Sequence, residues 1–104
     1  MKRFDLFGSC SMTVAEVASA LQNGLAVKFV EHESGYRGGV YFRLASDDEE
    51  ILIQPNSPDS EGYLPESEFA HWQTLVYVNG SYRWGDLVVA FSLAGLDLLR
   101  SEEI

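Results

Sequence analysis

The sequence predicts an α+β fold in which helices pack on one face of an antiparallel sheet. Three observations carry this reading. A capped amphipathic helix opens near residue 13, four strand-like segments follow it, and the links between the first three strands are too short for parallel crossovers. At 104 residues and 46% hydrophobic composition the chain suffices for one ordered domain spanning 1–104 without staples.

Thr13-Val14-Ala15-Glu16 fits a capping box, with Met12 and Val17 placed as a hydrophobic staple. Val14, Val17, Ala18 and Leu21 form one apolar stripe, and Asn23-Gly24 supplies a stop, so the first helix is expected over about 13–23. Leu25 to Glu33 reads as a strand, Gly35 to Gly39 as a hairpin turn, and Val40 to Ala45 as the returning strand. Asp47-Asp48-Glu49-Glu50 forms the next turn, before the short strand Ile51-Leu52-Ile53. The segment of about 54–72 holds all three prolines and reads as a long acidic loop, followed by a fourth strand over Gln73 to Val78. A C-terminal helix is expected from about Gly85 to Arg100. Its apolar arc, widened by Val89, Leu93 and Leu96, implies either a deeply buried helix or one that offers its second face to another subunit, as in a homodimer through that helix.

The net charge is −9, and its distribution says more than its size. From Leu44 through Tyr82 there is no Lys or Arg, while Asp47, Asp48, Glu49, Glu50, Asp59, Glu61, Glu66 and Glu68 supply half of the 16 acids. Such a surface repels phosphate backbones and anionic lipid, so neither nucleic acid nor membrane is expected as a partner. The longest apolar run, Leu87 to Phe91, is far short of the roughly 20 residues of a membrane span. A single cysteine, Cys10, excludes an intramolecular disulfide, and Asp5 interrupts the short apolar N-terminus before it can serve as a signal peptide. The sequence therefore reads as a soluble cytoplasmic protein.

Tyr63, Leu64, Phe69 and Trp72 interleave with the loop's acids, a mixture that solubility alone does not require. An acidic rim around aromatic anchors suits a basic protein partner. The expected contact residues are Asp59, Glu61, Tyr63, Glu66, Glu68, Phe69 and Trp72. Tyr36 and Arg37 join them from the hairpin tip, a residue pair of a type enriched at interfaces.

Enzyme readings are weaker. Cys10 with His32 or His71 would make a nucleophile and base, and His32, His71 and Glu33 a metal set, but no spacing joins them. Ser57, Asp59, Glu61, Gly62 and Glu68 match part of a calcium loop, without its leading aspartate or its flanking helices. Gly35 to Gly39 lacks the lysine and the following helix of a phosphate loop. No cofactor, catalytic residue or metal ligand is assigned.

His32-Glu33-Ser34-Gly35-Tyr36-Arg37-Gly38-Gly39-Val40-Tyr41-Phe42 and Ile53-Gln54-Pro55-Asn56 are similar to segments of small acidic, mostly uncharacterised bacterial proteins of immunity-protein type. The resemblance covers the central half of the chain and carries no catalytic signature. It implies a non-enzymatic, toxin-neutralising binder, and the acidic segment adds that the partner neutralised would be basic. A small hydrolase or metal-dependent enzyme, or a homo-oligomeric structural component, is the alternative.

Overall fold

The computed structural model describes residues 3–34, 39–58, 61–80 and 84–103, and over them the α+β expectation holds. Elements follow in the order β1 (Arg3–Ser9), α1 (Val14–Leu25), β2 (Val30–Ser34), β3 (Gly39–Ala45), β4 (Glu50–Pro55), β5 (Thr74–Asn79), α2 (Trp84–Leu93) and β6 (Asp97–Glu103). These six strands form one antiparallel sheet in the order β2-β3-β4-β5-β1-β6.

Helix α1 begins as its capping box dictates. The Glu16 N–H donates to Thr13 Oγ1 at 3.2 Å, and the Thr13 N–H donates to Glu16 Oε1 at 2.9 Å. Its end differs from the expectation. The helix continues through Gly24 to Leu25 and stops on Ala26, which takes a left-handed φ of 54°. Leu25 and Val27 pack against the core, and that burial outweighs the roughly 1 kcal/mol that a helical glycine costs. The strand expected from Leu25 consequently starts only at Val30. The intervening turn is tied back by the Phe29 N–H, which donates to Gln22 Oε1 at 2.9 Å.

Two further corrections concern the ends of the sequence. Residues 3–9, read only as an interrupted apolar N-terminus, form β1, which lies between β5 and β6. The long C-terminal helix is instead a helix and a strand. Gly95 adopts φ 90°, its N–H donates to the Ser92 carbonyl at 3.0 Å, and the Leu96 N–H donates to the Phe91 carbonyl at 2.9 Å. This is a Schellman ending, closed by burial of Phe91 and Leu96, the two residues whose contact usually accompanies it. The residues beyond it pair with β1 as β6, with a bulge opposite Leu6/Phe7.

Both helices join one core on the same sheet face. Val17, Ala18 and Leu21 of α1 and Leu87 and Phe91 of α2 cluster with Phe7, Ile51, Ile53, Val76 and Val78. The Phe7 and Phe91 rings meet edge to face, with centroids 4.7 Å apart and planes at 80°. Strand alternation sends Leu6, Leu52 and Leu75 to the opposite face, yet these too are buried and lie outside that cluster. The sheet is therefore covered on both sides at β4, β5 and β1.

Phe91→Ala is expected to cost about 3–5 kcal/mol in urea denaturation, whereas Leu93→Ala, two positions along on the open side, should stay within about 0.5 kcal/mol. The capping hydrogen bond to the Thr13 N–H lowers the Glu16 carboxyl from its ordinary value of 4.5. A depressed folded-state value stabilises the fold above the unfolded value, and that contribution is lost as pH falls through the folded one. Glu16→Gln should consequently show a smaller drop in denaturation midpoint between neutral and strongly acidic pH than the parent chain.

Candidate functional site

Cross-strand registers set out the sheet face opposite the helices in three rows. Gln54, Leu75, Gly8 and Asp97 form one, Leu52, Tyr77, Leu6 and Arg100 the next, and Glu50, Asn79, Phe4 and Glu102 the last. The segment between β4 and β5 lies over the first two. A Cβ on Gly8 would stand 3.2 Å from the Trp72 ring and 2.8 Å from Leu99 Cδ1, so the absent side chain is what lets the cover sit down.

Buried Asn56 organises this cover. Its Nδ2 donates to the carbonyls of Phe69 at 2.8 Å and Trp72 at 3.0 Å, and its Oδ1 accepts from the Glu66 N–H at 3.3 Å. A 3-10 turn at Ser67–Phe69 follows. From the sheet side, Arg100 Nη1 reaches Glu66 Oε1 at 2.7 Å, and Glu68 and Glu102 flank it at 3.9 and 3.4 Å. The Glu66 side chain is only 13% exposed, which makes this pair more than a surface contact. The Glu66 hydrogen bond raises the Arg100 guanidinium above its ordinary range.

The third row is left open. At that end the β3–β4 turn borders a hollow of about 190 Å³ lined by Phe4, Arg43, Asp47, Asp48, Glu50 and Asn79, among others. Glu50 is committed within it: Arg43 Nε donates to Oε2 at 2.7 Å and Asn79 Nδ2 to Oε1 at 3.1 Å. Asp47 and Asp48 are exposed and have no ion pair or side-chain hydrogen bond among the described residues. The hollow thus offers two uncommitted carboxylates beside a half-buried aromatic ring.

The residues expected from sequence to form a contact site divide into three groups. Phe69 and Trp72 are half-buried in the loop cover, and Glu66 is held by Arg100. Glu61 and Glu68 are exposed, as is Tyr63, with 69% of its surface open. Tyr36, Arg37 and Asp59 lie outside the described residues. Phe4 is not among the expected contacts, and the turn acids belong to the expected acidic stretch of 47–68 without being named as individual contacts. Apolar residues on both faces of the 4–7 stretch hint at a buried strand, but only the pairing of Phe4 with Asn79 sets Phe4 beside the acidic turn.

Cys10 and His32 are not brought together. Strands β1 and β2 stand four positions apart in the sheet, roughly 19 Å at the usual strand spacing. His32 instead stacks on Tyr41, with ring centroids 5.2 Å apart. Among the described residues, no three His, Cys, Asp or Glu side chains converge as a metal set, and no helix is long and apolar enough to cross a membrane. A strand precedes the partial calcium pattern and a 3-10 turn overlaps it, in place of flanking helices. No protein-family model matches the chain, and no curated protein matches it significantly.

Asn56→Asp tests the loop cover with almost no change in shape. A carboxylate would face the Phe69 and Trp72 carbonyls in place of a donor, so a loss of about 2–4 kcal/mol is expected in urea denaturation. Accelerated proteolytic cleavage within 56–73 should accompany it.

Proposed function

We propose that this chain is a non-enzymatic protein-binding module, an antagonist of immunity-protein type that takes a basic partner on the sheet face opposite its helices. The observation that carries the reading is the acid-rimmed hollow at the open end of that face. A lysine or arginine of the partner would lay its aliphatic stem against Phe4 and bring its charge to Asp47 and Asp48. Glu61, Glu68 and exposed Tyr63 belong to the same long acidic stretch and extend the contact along the loop cover. Glu66, Phe69 and Trp72 support that surface from beneath.

The charge pattern favours a partner whose basicity has its own purpose, such as a protein that binds phosphate backbones. An acidic antagonist would occupy the groove that such a protein reserves for nucleic acid. Association would be steered over a distance and weakened by salt.

The test is capture of basic proteins from native bacterial lysate on the immobilised chain, followed by affinity measurement with the protein recovered. Reversing Asp47 and Asp48 to Lys should weaken binding by at least about tenfold and flatten its salt dependence. Reversing Glu61 and Glu68 should have a smaller effect in the same direction. Unchanged affinity and salt dependence in both double variants would refute the reading.

A further inference from the structure

We propose that a second copy of this chain docks on the outer side of the helix layer, by an isologous contact centred on Leu93. The inference is independent of the acidic face and rests on three features of the opposite side.

The first is an unburied pair of apolar side chains. Val89 and Leu93, one turn apart on α2, are 59% and 85% exposed, although Leu87 and Phe91 of the same helix are fully buried. The second is a hollow beside them. Ala20 and Gly24 of α1 and Ala90 and Ala94 at the end of α2 leave the seam between the helices open, with a volume of about 220 Å³ and Leu93 as one wall. A projecting leucine next to a hollow of small residues is self-complementary. A two-fold axis would place each copy's Leu93 over the other copy's hollow.

The third feature chooses the occupant. No charged residue occurs from Val17 through Val27 or from Leu87 through Leu96, so the net charge of −9 resides elsewhere. Two such chains repel through most of their surfaces, and this apolar face lets them approach without opposing like charges. It also offers nothing to a basic protein, a phosphate backbone or an anionic lipid surface. The widened apolar arc of the C-terminal sequence thus reduces to two residues, because Leu96 is buried in the Schellman ending and Leu98 and Leu99 belong to β6.

The experiment is sedimentation equilibrium of the full chain from about 10 μM to about 1 mM, the range in which a contact smaller than about 1,200 Å² self-associates. The average mass should rise with concentration from 11.6 kDa toward twice that value, and added salt should strengthen association by screening the acids. Leu93→Glu should raise the dissociation constant at least about tenfold with the melting temperature unchanged. Gly24→Leu should do the same by filling the hollow. Beyond its own helix turn nothing lies within 4 Å of the Cβ it would add, and leucine favours the helix, so an unchanged melting temperature is expected beside the lost association. A monomeric mass at every concentration, or a dimer indifferent to both substitutions, overturns the proposal.

Discussion

A sheet with apolar side chains on both faces of its central strands cannot be closed by one layer of helices. Strands β4, β5 and β1 impose that constraint here. Ile51, Ile53, Val76, Val78 and Phe7 face the helices, while Leu52, Leu75 and Leu6 face away. Each buried leucine gains roughly 1.5–3 kcal/mol over exposure, and that gain requires a second cover. The chain supplies one from irregular backbone, whose polar groups must then be satisfied individually. Asn56 meets part of this demand with three hydrogen bonds, and the Arg100–Glu66 pair fastens the far side to β6.

The acidic segment takes on a divided meaning in this light. Its aromatic and proline content reflects a layer that must cover apolar surface, and Phe69 and Trp72 are half-buried accordingly. Two of its acids share an arginine from the far end of the sequence: Arg100, 34 positions from Glu66, holds that carboxylate closely and stands 3.9 Å from Glu68. The absence of Lys and Arg from 44 to 82 is thus partly offset in three dimensions. Among the described residues, the acids left without an ion pair or side-chain hydrogen bond near the hollow are the turn acids Asp47 and Asp48, while Glu61 and Glu68 remain exposed on the loop cover. The helices behind the sheet carry charge only in their first turns, at Glu16 and Asp86, so the two sides of the molecule differ in character.

The parts of this fold that were legible in the sequence are those governed by local chemistry. The capping box set the start of α1, and the short links between apolar segments set the antiparallel order β2–β3–β4, though not where β2 begins. Structure and local pattern part where distant packing decides. Gly24 looked like a helix end, but burial of Leu25 carries the helix past it, whereas Gly95 looked tolerable within a helix and ends one. Leu96, Leu98 and Leu99 satisfied a helical period as well as a turn and a strand, because a short apolar cluster fits both. Arg3 to Ser9 lacked any neighbouring hairpin to announce a strand, since both of its partners lie some 70 to 100 residues further on. At the candidate site the acids were visible in the sequence, whereas the hollow required knowing that Phe4 stands across from Asn79.

That placement of β1 has a consequence for how the chain reaches its folded state. The β2–β3–β4 meander closes through short turns and can assemble as soon as it is synthesised. Strand β1 pairs only with β5 and β6, both separated from it by most of the chain. Loop-closure entropy therefore falls on the pairing that completes the centre of the sheet, a topology associated with slow folding. Until that pairing forms, Phe7 lacks the partner ring of Phe91, and Leu6 and Leu75 remain open to water. The first strand of the chain is thus the one whose pairings span the most sequence.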